Sequence, residues 1–291
     1  MKKIILLLSL LFVLPSCANI RTDSGKPSVI ATLFPQYDFC RAIAGDKMDV
    51  SMLIPRGAES HTYEPTPTDR IKLDNAGMLV YAGHAMEPWI EKLTLKSAVL
   101  VDTSAGIPES HEDHDHEFEP HFWTSPVLAG VMADTICAAF TEMDPENSDY
   151  YKENTQKLKS ELNSLDEEFR DIVKNGTRKK IIFGGRFAFH FFTDEYGLEW
   201  DAAYDSCSAE AEPSIQKIGQ LVEEIKRESI TVIYYEELTD PAVARSIGTQ
   251  SGAKPMLLHS CHNVTQKEFA DGITYVELMR RNAINLKEGL S

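Results

Sequence analysis

The sequence predicts an α/β protein made of two small parallel-sheet lobes joined by one long rigid helix. In each half of the 291-residue chain, four short apolar segments alternate with helical patterns, which is typical of parallel α/β architecture. The long segment between the halves has the period of a single amphipathic helix. The predicted strands are VIATLF at 29–34, VSMLI at 50–54, MLVY at 78–81, AVLVD at 98–102, KIIFGG at 180–185, EWDAAY at 199–204, ITVIYYE at 230–236 and KPMLLH at 254–259.

The linking helix is predicted at 145–176. Pro145 opens this segment and Gly176 closes it, as helix ends prefer. About 28 residues at 1.5 Å each make a rod of roughly 42 Å. Because a continuous helix resists bending, we do not expect wide hinge closure; the alternative is a helix that packs within one domain only. The apolar stripe that identifies the helix consists of Tyr151, Leu158, Leu162, Leu165, Phe169 and Ile172.

The first residues predict export and a lipid anchor. Two lysines precede an apolar run from Ile4 to Leu14, which is too short to span a bilayer and has the shape of a secretory signal. The run ends in LPSC, which resembles a bacterial lipobox and implies cleavage before Cys17 and lipidation of that cysteine; the alternative is an ordinary signal in which Cys17 has no role. The predicted organisation is a signal peptide at 1–16, a lipid-anchored tether at 17–27, an N-terminal lobe at 28–144, the linking helix at 145–176 and a C-terminal lobe at 177–291.

The charge disfavours one class of partner and favours another. Lys and Arg number 29 against 45 Asp and Glu, which gives a net charge of -16. Such an excess repels phosphate backbones and attracts cations. We therefore expect no nucleic-acid partner.

Four further cysteines are available to form disulfides in an exported protein. Cys40 and Cys137 lie in the predicted N-terminal lobe, whereas Cys207 and Cys261 lie in the C-terminal lobe. Four cysteines allow three connectivities. A staple within each lobe, Cys40–Cys137 and Cys207–Cys261, is the pairing that we expect.

Several stretches, in order along the chain, resemble the zinc- and manganese-binding solute-binding lipoproteins of bacterial ABC importers. The resemblance covers nearly all of the chain after the predicted signal peptide. It implies two α/β lobes with a metal site in the cleft between them, and an ABC permease as partner. It also implies a location outside the cytoplasmic membrane, in the periplasm or at the cell surface, with the lipid anchor in the membrane. The matching stretches are RGAESHTYEPTPTD at 56–69, EPHFWTSP at 119–126, EYGLEW at 195–200, AEPS at 211–214 and YVELMRRNAINLKEGL at 275–290.

In the first lobe the resemblance makes His61 and His121 metal ligands. His61 follows the second predicted strand, and the carboxyl ends of strands in open α/β sheets face the crevice where ligands bind. His121 stands in EPHFW, where Phe122 and Trp123 are expected to form an apolar wall. A neutral imidazole nitrogen suits zinc at about 2.0–2.1 Å.

The second lobe departs from the family pattern. The resemblance implies a third ligand, a histidine, where this chain has Arg186. Because a guanidinium offers no acceptor lone pair, we expect Arg186 to neutralise acidic ligands, pair with a carboxylate or have a purely structural role. His190, four residues on, reaches the cleft only if the helix start is shifted. The fourth ligand position, after the last strand, falls on His259 with a register uncertainty of one or two residues, and His262 and Cys261 are its competitors.

Two cysteines of the second lobe are further candidates for the site. In reduced form Cys207 and Cys261 are soft zinc ligands. In oxidised form they are the staple described above, which is the reading we prefer for an exported protein.

A segment rich in histidine and acid precedes the second matching stretch. We expect His111, His114 and His116, which lie among carboxylates, to bind divalent cations weakly and to pass them towards His121. The resemblance associates such inserts with zinc. Nitrogen-rich ligation also favours Zn2+ over Mn2+, since carboxylate and water ligands suit manganese better. The alternative is a solvated acidic loop that binds metals only adventitiously.

The expected function is capture and release of a metal ion by a monomeric receptor, without a chemical step. The cargo is Zn2+, with Mn2+ as the alternative, and the recipient is an ABC permease. A surface zinc chaperone or cell-adhesion protein that acts without a transporter is a second alternative. A metallohydrolase is disfavoured, because catalytic zinc needs an open coordination position and usually a carboxylate base, and the sequence contains neither HExxH nor GxSxG.

Overall fold

Two parallel four-stranded sheets, each flanked by helices, form the protein. The structure, a computed structural model, describes residues 25–108, 119–204 and 213–291. The strand orders are β2-β1-β3-β4 and β6-β5-β7-β8, so the predicted fold class is confirmed. The strands are β1 Ser28–Ala31, β2 Asp49–Met52, β3 Met78–Tyr81, β4 Val99–Asp102, β5 Lys180–Arg186, β6 Glu199–Tyr204, β7 Val232–Tyr235 and β8 Lys254–Leu257. The helices are α1 Phe34–Ala44, α2 Pro67–Asp74, α3 Pro126–Met143, α4 Ser148–Asn175, α5 His190–Tyr196, α6 Ile215–Glu228, α7 Ala242–Ser251, α8 Gln266–Ala270 and α9 Tyr275–Leu290.

Helix α4 is the predicted linking helix and has 28 residues. A short 3₁₀ turn at Pro145–Asn147 precedes it, so the α-helix begins three residues after the proline. Its buried stripe follows the predicted one except at the end, where Val173 is buried and Ile172 is only half-buried. The helix packs against α1 and α3 of the first lobe and against α9 of the second. It therefore contacts both lobes along its length.

Hydrogen bonds also hold the two lobes together directly. Asn263, in the loop after β8, donates from Nδ2 to the carbonyl oxygens of Pro55 at 2.8 Å and Ala58 at 3.0 Å. The indole nitrogen of Trp123 donates to the Ser260 carbonyl at 2.9 Å. One continuous apolar core includes side chains of both lobes. The loop after β8 is thus anchored on the first lobe at several points.

The cysteines differ from the predicted pairing. Cys40, Cys137 and Cys261 are buried free thiols, so neither predicted disulfide is present on the described residues. Cys40 on α1 and Cys137 on α3 pack among apolar side chains of the shared core. Burial raises the pKa of the Cys40 thiol and of the Cys261 thiol, which keeps both protonated and unreactive. Cys207 lies outside the described residues.

Several predicted features fall on parts of the chain that the structure does not describe. The signal peptide at 1–16, Cys17 and most of the tether lie outside the described residues, and the domain boundaries stay a prediction. Among the described residues α3 is the one helix long and apolar enough to cross a membrane. It packs against α1 and α4, as a core helix of a folded lobe does.

Candidate metal centre

Three histidines from separate loops converge in the cleft between the lobes. His61 lies between β2 and α2, His121 directly precedes the 3₁₀ turn Phe122–Thr124, and His262 lies in the loop after β8. One ring nitrogen of each lies within 4.8 Å of the others. The Nε2 atom of His61 is 3.2 Å from that of His262 and 3.3 Å from that of His121.

This spacing fits a tetrahedral zinc ion. At Zn–N distances of about 2.0–2.1 Å, two ligands of a tetrahedron lie about 3.3–3.4 Å apart. The two measured nitrogen–nitrogen distances, 3.2 and 3.3 Å, are within about 0.2 Å of that value. The three nitrogens thus offer three of the four positions of such a site.

Burial keeps the three imidazoles in the neutral form that a metal needs. Desolvation, reinforced by the nearby His262, lowers the pKa of His61 to about 3. Burial likewise lowers the pKa of His121 and of His262. Trp123 packs edge-on against both His121 and His262, with ring centroids 5.5 Å apart in each case. Trp123 thus supplies an apolar wall beside these rings, and the three candidate ligand nitrogens carry free lone pairs.

A carboxylate orients His121 from behind. The Nδ1 and the backbone N–H of His121 both donate to Oε1 of Glu119, the latter at 3.0 Å. Burial alone would raise the pKa of Glu119, but His121 and a contact from His190 hold that pKa well below its usual range. A carboxylate bonded to Nδ1 fixes the tautomer that leaves Nε2 free, and this arrangement is common behind metal-binding histidines.

A hydroxyl and a second carboxylate support His262. The Nδ1 of His262 contacts Oγ of Ser260, and that hydroxyl donates to Oε1 of Glu237 at 2.6 Å. The backbone N–H of Ser260 donates to Oε2 of Glu237 at 2.7 Å. Burial alone would raise the pKa of Glu237, but His259, His262 and the Ser260 hydroxyl hold it well below its usual range. A charged, buried carboxylate therefore lies behind this imidazole as well.

Arg186 binds two carboxylates beside the histidines. Its Nε donates to Glu236 at 2.8 Å and its Nη2 to Glu59 at 3.0 Å. These three side chains line a cavity of about 230 Å3 at the carboxyl ends of β5 and β7. The expectation that Arg186 pairs with a nearby carboxylate is met, with two partners.

The structure does not place His259 with His61 and His121, and His262 takes that place. The Nδ1 of His259 accepts a hydrogen bond from the backbone N–H of Cys261 at 3.0 Å. The backbone N–H of His259 donates to Oδ1 of Asn282 at 2.7 Å. Cys261 has a left-handed backbone with φ of 65°, which makes a tight turn between the two histidines. Because such a turn is uncommon for a residue other than glycine, no sequence signal indicates it.

The other second-lobe candidates do not join the histidine cluster. His190 begins α5, where its Nδ1 lies 2.7 Å from Oε2 of Glu119. The contact between the two atoms does not have the geometry of a well-formed hydrogen bond. The Cys261 sulfur points to the carbonyl oxygen of His259 at 3.7 Å. The remaining candidates, Cys207 and the accessory histidines His111, His114 and His116, lie outside the described residues.

Sequence reasoning missed the carboxylates that support the candidate ligands. Glu59 and Glu119 each stand two residues before a ligand candidate, and this repeated Glu-x-His spacing is a signal that the sequence contained. Glu237 had no such signal, because it approaches His262 only through the parallel pairing of β7 with β8.

Comparison with known proteins relates nearly the whole chain to zinc-uptake proteins. The profile of the family described as ZnuA, zinc-uptake complex component A, periplasmic, matches residues 29–289. The high-affinity zinc uptake system protein ZnuA of Bacillus subtilis (strain 168) is 32% identical over 298 residues, which cover 94% of this chain and 93% of that protein. The zinc-binding lipoprotein AdcA of Streptococcus pneumoniae is 31% identical, and the match covers 99% of this chain but 61% of AdcA.

Solved structures give the same result. The metal-dependent lipoprotein YcdH from Bacillus subtilis superposes with a TM-score of 0.81 at 33% identity, covering 91% of this chain and 99% of that one. The Zn(II)-bound ZnuA-like domain of Streptococcus pneumoniae AdcA superposes with a TM-score of 0.80 at 28% identity, with the same coverage. The laminin-binding protein Lmb of Streptococcus agalactiae, described as an adhesin with metal-transporting activity, superposes with a TM-score of 0.82 at 27% identity over 91% of this chain and 100% of that one. The chain therefore belongs to the ZnuA family of zinc-uptake components.

Proposed function

We propose that this protein is an extracytoplasmic receptor that captures a zinc ion with His61, His121 and His262 and delivers it to an ABC permease. The observation that carries the proposal is the convergence of three neutral imidazoles, two buried and that of His61 half-buried, at the nitrogen spacing of a tetrahedral zinc site. Membership of a zinc-uptake family supports the direction of transport and the kind of recipient.

The donor atoms favour zinc over manganese. Three imidazole nitrogens suit zinc, whereas manganese prefers carboxylate, carbonyl and water ligands. The carboxylates nearest to the site are already engaged, Glu119 with His121 and Glu59 with Arg186. Manganese stays the alternative cargo, and competition between the two metals would rank them.

We propose binding without catalysis. His121 and Trp123 are fully buried, so the ion would be enclosed and not presented to a polymeric or peptide substrate. Lipidation at Cys17, attachment to the membrane and a monomeric state belong to the same proposal. The similarity to Lmb favours adhesion as a second candidate, and ATPase and permease genes beside this one would favour import.

Zinc titration of ligand variants tests the proposal. The chain without residues 1–16 is freed of metal and titrated in competition with a chelator of known affinity. We expect one tight site, and a loss of affinity in His61→Ala, His121→Ala and His262→Ala larger than the roughly 10–100-fold that removal of an outer partner brings. His259→Asn is the matched control, because its Oδ1 replaces the acceptor Nδ1 that Cys261 uses.

Two results would contradict the proposal. Tight binding that survives both His61→Ala and His121→Ala would mean that the cleft is not the site. Equal losses of zinc affinity in His259→Asn and His262→Ala would mean that the loop after β8 affects binding only through its folded structure and that His262 is not a ligand.

A further inference from the structure

The two first-lobe ligands share one local arrangement. Glu59-Ser60-His61 and Glu119-Pro120-His121 have the same Glu-x-His spacing. In both, Oε1 of the glutamate accepts the backbone N–H of the histidine, at 3.1 Å for His61 and 3.0 Å for His121. The glutamate therefore fixes the backbone conformation of the histidine two residues after it.

The second oxygen of each glutamate reaches across to the other lobe. Oε2 of Glu59 accepts from Nη2 of Arg186 at 3.0 Å, and Oε2 of Glu119 lies 2.7 Å from Nδ1 of His190. Arg186 ends β5 and His190 begins α5, so both partners come from one strand–helix connection of the second lobe.

Both partners are themselves held in place. Arg186 donates to Glu236 of its own lobe at 2.8 Å. The ring of His190 packs edge-on against Phe187 and Trp200, at centroid distances of 4.8 and 4.9 Å. Because each of these side chains contacts its own lobe as well as a glutamate of the first lobe, it fixes the position of that glutamate and does not merely supply charge.

We propose that Arg186 and His190 are positioning residues that act through Glu59 and Glu119 to set the placement of His61 and His121. This inference rests on the proposed metal site. Through the two Glu-x-His units, the geometry of His61 and His121 then depends on how the two lobes are positioned relative to each other. The second lobe contributes to the site at this point by salt bridge and contact and not by coordination, since a guanidinium cannot coordinate a metal.

Substitutions that keep charge and packing test the positioning role. Arg186→Lys keeps the charge, but one ammonium cannot reproduce the fork that joins Glu59 to Glu236. His190→Phe keeps the aromatic packing and removes the nitrogen, whereas His190→Asn returns a nitrogen near the place of Nδ1. Arg41→Lys is the matched control, because Arg41 also crosses between the lobes, donating to the Ile273 carbonyl at 2.5 Å, without contacting either Glu-x-His unit.

The chain without residues 1–16 is used, and zinc affinity and the d–d absorption of the Co2+-loaded protein are measured. We expect Arg186→Lys and His190→Phe each to weaken zinc binding by about tenfold or more and to alter the Co2+ spectrum. His190→Asn is expected to recover only part of the affinity lost in His190→Phe, because it returns a nitrogen without the ring that packs on Phe187 and Trp200. Arg41→Lys is expected to leave both readouts unchanged.

The inference is overturned if Arg186→Lys and His190→Phe bind zinc as tightly as the parent with the parent Co2+ spectrum. It is also overturned if Arg41→Lys has the same effect as Arg186→Lys, because the effect then belongs to the lobe interface as a whole. His61→Ala separates this inference from the proposed function. If His61→Ala abolishes tight binding while the positioning variants do not change it, only the inference fails; if His61→Ala has no effect, the proposed site fails.

Discussion

A buried carboxyl group in the first lobe should make the protein less stable as the pH rises. Glu87 is fully buried between the ends of β1 and β3. Thr32 Oγ1 donates to it at 2.5 Å, and the backbone N–H groups of Ala82 and Gly83 donate at 3.0 and 3.1 Å. Even with these donors, burial raises the pKa of Glu87 to about 8.

The sign and size of the effect follow from the two pKa values of Glu87. The unfolded chain has a pKa near 4.5 and the folded chain one of about 8, so between these values the folded state binds the extra proton. Its contribution to stability is complete below pH 4.5 and is lost as the pH rises through about 8. At about 1.4 kcal/mol per pH unit the loss is about 3.5 kcal/mol by pH 7 and about 4.5 kcal/mol by pH 8, where half of the folded molecules are already ionised at Glu87.

Glu87→Gln should remove this pH dependence. The amide oxygen accepts from the N–H groups of Ala82 and Gly83, and the amide nitrogen donates to the Thr32 hydroxyl, which accepts as readily as it donates. The variant thus imitates the protonated acid at every pH. We expect nearly equal unfolding free energies for parent and variant at pH 5, and a more stable variant by several kcal/mol at pH 8.

Urea unfolding at pH 5, 6, 7 and 8, with a chelator present to exclude metal binding, measures the difference. Glu91→Gln is the matched control, because Glu91 lies in the 3₁₀ turn Pro88–Lys92 that directly follows Glu87, with its side chain 69% exposed. If the difference in unfolding free energy between parent and Glu87→Gln is constant from pH 5 to pH 8, the reasoning is refuted. It is also refuted if the parent gains stability over Glu87→Gln as the pH rises, since Glu87 would then be ionised in the fold.

Three further predictions concern the site and the second lobe. Glu119→Gln should lower zinc affinity by about 10–100-fold in chelator competition, because a neutral amide replaces the carboxylate behind the imidazole; unchanged affinity would contradict this. Gly184→Ala should destabilise the fold by about 1–3 kcal/mol in urea unfolding, because the new Cβ would lie 2.5 Å from Cα of Ala244, whereas Gly185→Ala meets nothing within 4 Å and is the control. Deletion of 111–117 should leave one tight zinc site by titration and remove only weaker binding; loss of the tight site would place the metal in that segment.

The strands and the linking helix were predictable because their signals are local. Each of the eight predicted runs overlaps one strand. A central strand that helices cover on both faces needs apolar residues at every position, as in the fully buried β3. Boundaries were less certain. The run at 29–34 ends as a strand at Ala31 because helix α1 begins at Phe34 with Pro35 in its first turn, a position that proline favours.

The first-lobe part of the site could also be predicted, whereas the second-lobe part could not. His61 and His121 stand in stretches whose sequence resembles the family, and the structure brings the two together. The choice between His259 and His262 depends on a turn at Cys261 with positive φ. No local propensity indicates that turn, because it is stabilised by the Asn282 and His259 hydrogen bonds of the folded protein.

The adjacent residues Glu236 and Glu237 explain how the second lobe contributes to the proposed metal site although position 186 is an arginine and not a histidine. Both follow β7, which lies between β5 and β8 in the sheet, and consecutive side chains at a strand end point in opposite directions. Glu236 therefore meets Arg186 at the end of β5, while Glu237 meets Ser260 in the loop after β8. The first fixes a cation that cannot bind metal, and the second orients His262, which can. Arg186 and His262 are thus positioned by adjacent glutamates of one strand end. In the proposed site the nitrogen donor of the second lobe comes from the loop after β8 and not from the end of β5.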